Sequence, residues 1–298
     1  MRTMSNKPLE LLYSKNWQDY ELIDSGNGQK LERFGQTLFV RPDSQAIWPP
    51  HLPQDEWQKA SATFETGEKD KGGWKYRKQF TKRFKLQYQK LVFWAEPTPF
   101  RHLGVFPEQA PHWDFASEQI GKTKQPVKIL NLFGYTGLAS LATASAGAEV
   151  VHVDASKTSI AWAKENQKLS GLEKSIIRWI EDDALKFVRR EIKRGNFYDG
   201  IIMDPPKFGR GPKGEIWKFE ELFPTLLAEC AKILKPRPLF FIITSYASEI
   251  SAVSLGNALK IALRADDSQI TSGELTNLES ATGRLLSEAR FARFQGQN

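Results

Sequence analysis

The chain has 298 residues, of which 40% are hydrophobic and 26% are charged, a composition typical of a globular protein with one large domain or two smaller ones. Its one cysteine, Cys230, excludes an intramolecular disulfide and a metal site built from several cysteines. No run of eighteen apolar residues occurs, and residues 1–10 contain no apolar signal region. We therefore expect a cytoplasmic protein without a membrane span.

The net charge of +7 is concentrated in the N-terminal third. Residues 1–105 carry 17 Lys or Arg against 12 Asp or Glu, whereas residues 106–298 carry 25 against 23. A basic module is typical of proteins with a polyanionic partner, although a charged face also serves solubility alone.

Residues 19–48 alternate short apolar runs with turn residues, which predicts a small β-structure. Residues 49–73 are rich in Pro, Gly and charge and predict a loop or insertion. Over residues 74–94, apolar side chains occupy even positions, which predicts a strand or hairpin whose apolar face is either a core or a stacking platform for bases. The opposite face is basic, since residues 71–90 hold eight Lys or Arg and no acid. It contains Lys75, Arg77, Arg83 and Lys85.

From residue 127 onward, predicted strands and helices alternate. The strands are expected at residues 127–130, 150–153, 176–180, 198–203 and 239–244, and the helices at 138–146, 156–170, 184–194 and 220–234. This alternation predicts a mostly parallel, doubly wound sheet with helices on both faces.

Ligands of such sheets bind at the carboxyl ends of the strands, and polar or glycine-rich segments follow four of these strands. The first is Asn131-Leu132-Phe133-Gly134-Tyr135-Thr136-Gly137, whose glycines allow a sharp turn into a helix. Asp154 follows the second strand at a spacing suited to ribose hydroxyls. Asp182 and Asp183 follow the third strand, where an acid can accept from an adenine amino group. These three acids can also serve as helix caps.

The fourth strand is followed by Asp204-Pro205-Pro206-Lys207-Phe208-Gly209. Two prolines remove two backbone donors and stiffen the segment, which favours carbonyl groups that point outward. An acid beside outward carbonyls suits an amino group or the edge of an aromatic ring. The sequence therefore predicts that such a group of a ligand binds here.

Together these segments resemble the class I S-adenosylmethionine-dependent methyltransferases, and are most similar to the group containing bacterial ribosomal RNA cytosine-5 methyltransferases. The resemblance covers roughly residues 100–290 and implies a Rossmann-like α/β fold with a seven-stranded sheet, behind a smaller N-terminal mainly-β domain. It implies S-adenosylmethionine as the cofactor, bound by Phe106, Gln109, Asn131, Phe133, Gly134, Tyr135, Thr136, Gly137, Asp154, Ala155, Ser156, Asp182, Asp183 and Asp204. It implies a catalytic segment made of Asp204, Pro205, Pro206, Lys207 and Phe208.

Two departures matter, one from the general pattern of the class and one from that group. Phe133 and Tyr135 occupy positions that are often glycine in the class, although they suit the group. The group carries a cysteine nucleophile where this chain has Ile243-Thr244-Ser245-Tyr246-Ala247-Ser248, and Cys230 falls on the apolar face of a predicted helix. We therefore expect transfer to a nitrogen or an oxygen, without an enzyme cysteine.

The leading hypothesis is a methyltransferase acting on RNA, specifically ribosomal RNA, with residues 1–105 as an RNA-binding domain and residues 106–298 as the methyltransferase domain. A methyltransferase for a small molecule or a protein is the first alternative. The second alternative is an RNA-binding module whose methyltransferase fold has lost activity. The four histidines show no metal-ligand spacing, so no metal is expected. The oligomeric state stays open.

Overall fold

The computed structural model describes residues 8–67, 72–246 and 249–297. Inter-residue contacts divide the chain into two compact units. One contains the chain up to Leu12, Pro111–Leu275 and the chain from Ala289 onward, and the other contains Tyr13–Ala110 with Thr276–Glu288. The boundary at residues 105/106 stays a prediction of domain organisation.

The elements are given in chain order. The first part of the chain contains β1 (Glu10–Leu12), β2 (Tyr20–Gly26), β3 (Gln29–Phe34), β4 (Thr37–Pro42), α1 (Gln54–Gln58), β5 (Ala62–Glu65), β6 (Gly73–Tyr76), β7 (Phe84–Tyr88) and β8 (Leu91–Ala95). The next part contains α2 (Ala110–Gly121), β9 (Lys128–Leu132), α3 (Leu138–Ser145), β10 (Glu149–Asp154), α4 (Lys157–Leu169), β11 (Ile177–Glu181), α5 (Ala184–Arg194) and β12 (Gly200–Met203). The last part contains β13 (Phe208–Arg210), β14 (Ile216–Lys218), α6 (Phe219–Ala231), β15 (Phe240–Ser245), α7 (Ala252–Leu263), β16 (Ile270–Leu278) and β17 (Leu285–Gln295).

A mostly parallel sheet runs in the order β1-β16-β17-β15-β12-β9-β10-β11. Strands β15, β12, β9, β10 and β11 are successive parallel neighbours, and β17 joins β15 antiparallel. The predicted Rossmann-like fold is confirmed. The sheet has eight strands rather than seven, because the short strand β1 pairs with β16 in parallel.

Both faces of this sheet are buried, which explains the continuous apolar runs of its central strands. Leu130 and Ile201 belong to one buried cluster, whereas their chain neighbours Ile129 and Ile202 belong to another. Successive side chains of a strand point to opposite faces, so one apolar run supplies two cores. Among the described residues, none of the helices has both the length and the apolar character that crossing a membrane requires.

The other unit is built on a five-stranded sheet in the order β2-β3-β4-β5-β6 and on the hairpin β7-β8. The prediction of a loop over residues 49–73 is wrong in part, because α1 and β5 form there and bury Trp57 and Phe64. Pro, Gly and charged residues dominate this stretch, and α1 and β5 each bury only a few apolar side chains. The apolar pattern is therefore too weak to predict either element.

The strand or hairpin predicted over residues 74–94 divides instead between two sheets. Strand β6 pairs with β5, whereas β7 pairs with β8 in a separate hairpin, and no strand forms over residues 77–83. The pattern hid this break because both strands place their apolar residues at even positions. The four basic residues therefore do not form one row. Trp74 and Phe84 are half-buried and contact the ring of the buried Phe39 at centroid distances of 5.6 and 6.1 Å, so they pack against the core.

Candidate cofactor and acceptor site

The segments singled out in the sequence leave the sheet at one edge. Leu132 pairs with Val153 on one side and with Met203 on the other, so β9, β10 and β12 end level with one another. The carboxyl ends of parallel strands lie at one edge of the sheet, where ligands of such folds bind. This edge carries Phe133, which follows β9, Asp154, the last residue of β10, and Asp204, which follows β12.

The loop after β9 has a left-handed backbone at three positions. The φ angle is 57° at Phe133, 50° at Tyr135 and 87° at Gly137. Phe133 and Tyr135 occupy positions that often hold glycine in the class that the sequence resembles, and the left-handed backbone explains that preference. A non-glycine residue held in this region is strained and persists only where the surroundings fix it. The Phe133 ring contacts Trp217 at 5.0 Å, and the Tyr135 amide donates to Asp154.

The Asp154 carboxylate organises the turn between β10 and α4. Its Oδ2 accepts from the Tyr135 amide at 2.8 Å, and its Oδ1 accepts from the Ser156 amide at 2.8 Å. The cap of α4 is Ser156, whose Oγ accepts from the Ser159 amide at 3.2 Å. Burial raises the pKa of Asp154, and the two amides oppose that shift. Each carboxylate oxygen retains further acceptor capacity, which suits the hydroxyl pair of a ribose.

Asp183 caps the N-terminus of α5, as one of the two interpretations of this residue expects. Its Oδ1 accepts from the Lys186 amide at 2.9 Å at the start of α5. Asp182 accepts from the Asp183 amide at 2.9 Å and forms an ion pair with Arg190. Contact of either acid with adenine stays a prediction.

A buried polar chain lies beneath the loop after β9. His152 is fully buried, and its Nδ1 lies 3.0 Å from Ser140 Oγ, which accepts from Asn131 Nδ2 at 2.9 Å. A Cβ on Gly134 would lie 2.3 Å from His152 Cε1, so the ring leaves room only for glycine. Burial lowers the pKa of His152 to about 3, so the imidazole is neutral. Nothing in the sequence pattern indicates this support of the loop, because the contact crosses between strands.

The segment after β12 is held from within. Trp217 Nε1 donates to the Pro206 carbonyl at 2.6 Å, and the Phe219 amide donates to the Lys207 carbonyl at 3.0 Å. The expectation that the carbonyls of this segment point outward is therefore wrong for Pro206 and Lys207. No sequence pattern indicates the role of Trp217, because its pairing depends on the β13-β14 hairpin. The side chains of Lys207 and Phe208 are exposed.

The single cysteine is a core residue, as predicted. Cys230 is fully buried in α6 within the apolar cluster that includes Phe223 and Leu227. Burial raises the pKa of its thiol well above the ordinary value, which disfavours the thiolate that a nucleophile requires. Strand β15 ends at Ser245, and residues 247 and 248 of the predicted segment lie outside the described residues.

Phe106 and Gln109 lie in the other compact unit, at the two ends of a short turn in which the Gln109 amide donates to the Phe106 carbonyl at 3.1 Å. Their place near a cofactor stays a prediction. Within the part of the chain that the structure describes, no group of three or more His, Cys, Asp or Glu side chains is arranged to hold a metal ion.

Comparison with known proteins yields consistent matches. The model of the S-adenosylmethionine-dependent methyltransferase family matches residues 114–230. The crystal structure of the SAM-dependent methyltransferase from Agrobacterium tumefaciens is 43% identical, with a TM-score of 0.92, and the match covers 97% of this chain and 94% of that one.

Two curated bacterial proteins match over shorter segments. The ribosomal RNA large subunit methyltransferase K/L of Shewanella baltica is 31% identical over 175 residues, which are 57% of this chain and 24% of that protein. The ribosomal RNA large subunit methyltransferase I of Aeromonas salmonicida is 37% identical over 92 residues, which are 30% of this chain and 23% of that protein. The match thus spans about a quarter of the length of each of these relatives.

Proposed function

Because the chain belongs to the S-adenosylmethionine-dependent methyltransferase family, we propose that it methylates RNA, with ribosomal RNA in the cytoplasm as the substrate and a nitrogen or oxygen as the acceptor. The observation that carries this proposal is the similarity to proteins named ribosomal RNA large subunit methyltransferases. The exposed Lys75, Arg77 and Lys85 support it, because they suit a phosphate backbone. Glu65, 3.3 Å from Lys75, offsets part of this charge.

We propose that this chain resembles the cytosine-5 group in its loops but does not share the reaction of that group. Cytosine-5 methylation requires a thiolate that adds to the ring. Cys230 is fully buried with a raised thiol pKa, so it is unsuited to that step. A nitrogen or an oxygen already carries a lone pair and needs no such activation, so positioning supplies much of the catalysis.

We propose the same residues for the cofactor as the resemblance implies. When bound, S-adenosylmethionine supplies a methyl group on a positively charged sulfur. The loop over residues 131–137 would hold its methionine part, Asp154 with Ala155 and Ser156 its ribose, and Asp182 with Asp183 its adenine. The geometry of Asp154 supports this assignment, because two amides orient a carboxylate that can still accept from hydroxyl groups.

The acceptor would bind at the segment of residues 204–208. Asp204 follows the level ends of the strands, and its carboxylate would accept from an amino group and aim the lone pair of the nitrogen at the methyl carbon. Pro205 and Pro206 restrict the backbone that carries it. Phe208, whose side chain is 55% exposed, would stack on the target base, and Lys207 would contact a phosphate.

The proposal is tested by transfer of radiolabel from S-adenosylmethionine. The purified chain is incubated separately with ribosomal RNA from cells that lack this protein, with total protein and with small metabolites. We expect label in the RNA, and a loss of at least tenfold in rate for Asp204→Asn. Label confined to protein or metabolites would overturn the RNA proposal, and cofactor binding without label in any fraction would favour the inactive module.

A further inference from the structure

The β13-β14 hairpin, residues 208–218, begins at Phe208, the last residue of the proposed acceptor segment. Its strands are antiparallel, with Phe208 opposite Lys218, Gly209 opposite Trp217 and Arg210 opposite Ile216. Opposite residues share a face and successive residues alternate. The hairpin therefore has an inner face, with Gly209 and Trp217, and an outer face with the other four residues.

The inner face is anchored to the body of the unit. Trp217 is 3% exposed, belongs to the large apolar core, donates to the Pro206 carbonyl and contacts the Phe133 ring. One side chain thus joins the hairpin to the acceptor segment and to the loop after β9. This anchor fixes which way the outer face points.

The outer face combines two apolar side chains with two cations. Phe208 and Ile216 are each 55% exposed, and Arg210 and Lys218 are exposed as well. Lys218 forms an ion pair with Glu221 at 2.7 Å, whereas Arg210 has no acidic partner among the described residues. An exposed pair of large apolar residues flanked by cations is unusual for a surface that serves solubility alone.

The charge of the hairpin favours an anion. Residues 208–218 contain three Lys or Arg and one acid, Glu215. Glu215 folds back into its own turn, where it accepts from the Lys213 amide at 2.8 Å, and it forms an ion pair with Lys186 of α5. The Lys186 contact lowers the pKa of Glu215 to about 2. The one acid is therefore neutralised by a partner outside the hairpin and does not lie in either strand.

We propose that the outer face of the β13-β14 hairpin binds single-stranded RNA beside the methylated nucleotide. Arg210 and Lys218 contact phosphates, and Ile216 packs against a base adjacent to the one stacked on Phe208. Apolar and aromatic side chains interleaved with cations are the general means of binding unpaired strands, since every base offers a flat face and every nucleotide a charge. This inference rests on the proposed function and names the surface that holds the substrate.

The test removes both cations and measures RNA binding. Arg210→Gln with Lys218→Gln is compared with Lys168→Gln and Lys174→Gln, an equal charge change at two exposed residues, one in the last turn of α4 and one between α4 and β11. Fluorescence anisotropy follows a labelled single-stranded RNA of about 12 nucleotides across a salt series. Each neutralised phosphate contributes about 0.7 to the slope of log affinity against log salt, so the slope should flatten by about 0.7 to 1.4.

We expect the hairpin variant to lose about threefold to tenfold in RNA affinity, and the control variant and the cofactor affinity of both to match the wild type. Ile216→Ser should lower the affinity without changing the slope, since it removes no charge. Equal binding by hairpin and control variants, in a protein that still labels ribosomal RNA, would overturn the inference and leave the proposed function intact. A wild type that labels no RNA would overturn the proposed function first. Loss of protein methylation with RNA binding unchanged would assign the surface to a protein partner instead.

Discussion

Replacing Gly134 by alanine tests whether the His152 ring shapes the loop after β9. The new Cβ would lie 2.3 Å from His152 Cε1, 2.5 Å from His152 Nδ1 and 2.9 Å from Asn131 Nδ2. His152 is fully buried and Asn131 is 2% exposed, so neither side chain can yield without moving its neighbours. Overpacking of this kind costs about 1–3 kcal/mol of unfolding free energy.

The same clash should reach the cofactor. Because relief of the contact must shift the loop, we expect S-adenosylmethionine to bind at least tenfold more weakly, or about 1.4 kcal/mol. Chemical denaturation measures the stability, and calorimetry measures the cofactor affinity. Gly121→Ala is the matched control, because a Cβ at Gly121 meets no atom within 4 Å.

A second substitution separates this contact from a general effect of alanine in the loop. His152→Ala removes the ring, so it should be less costly in the Gly134→Ala background than in the wild type, with a coupling of about 0.5–3 kcal/mol. If Gly134→Ala matches Gly121→Ala in stability and retains its cofactor affinity, or if the two substitutions are additive, the reasoning is refuted.

Three further predictions follow from buried groups. Asp154→Ala should weaken S-adenosylmethionine binding at least tenfold by calorimetry, since it removes the acceptor of two amides, and unchanged affinity in a folded variant would remove Asp154 from the ribose site. Cys230→Ser should keep turnover while losing about 1–3 kcal/mol of stability, and abolished turnover in a stably folded variant would restore a role for the thiol. The pKa of His152 is about 3 in the folded chain, against an ordinary 6.5. Between these pH values only the unfolded chain binds a proton at this residue. The folded chain therefore has its full stability above about pH 6.5 and loses stability as the pH falls. At about pH 5.5 the loss of stability is about 1.4 kcal/mol. Chemical denaturation should show that His152→Gln loses about 1.4 kcal/mol less than the wild type when the pH falls from neutral to about 5.5.

The α/β part of the fold was predictable because its signal is local. A central parallel strand needs apolar side chains on both faces, and its neighbouring helix needs a cap and a stop. Val150 in a strand, Ser156 as a cap and Gly171 as a stop are each recognisable from a few neighbouring residues. The candidate site was predictable in its residue types for a related reason. In a parallel sheet, whatever follows a strand must lie at the carboxyl edge, so Asp154 and Asp204 could be grouped before their register was known.

Tertiary structure alone decided what depends on partners distant in the chain. The even-position pattern over residues 74–94 is identical for one long strand and for two strands in different sheets, and only their partners β5 and β8 separate the two. The Pro206 carbonyl turns inward because Trp217 lies across a hairpin from Gly209 and reaches back to it. Gly134 must be glycine because the ring of His152, from the neighbouring strand, fills the space beside it. A sequence pattern records which side chains a position prefers, but a steric contact or a hydrogen bond between strands exists only once the chain has brought them together.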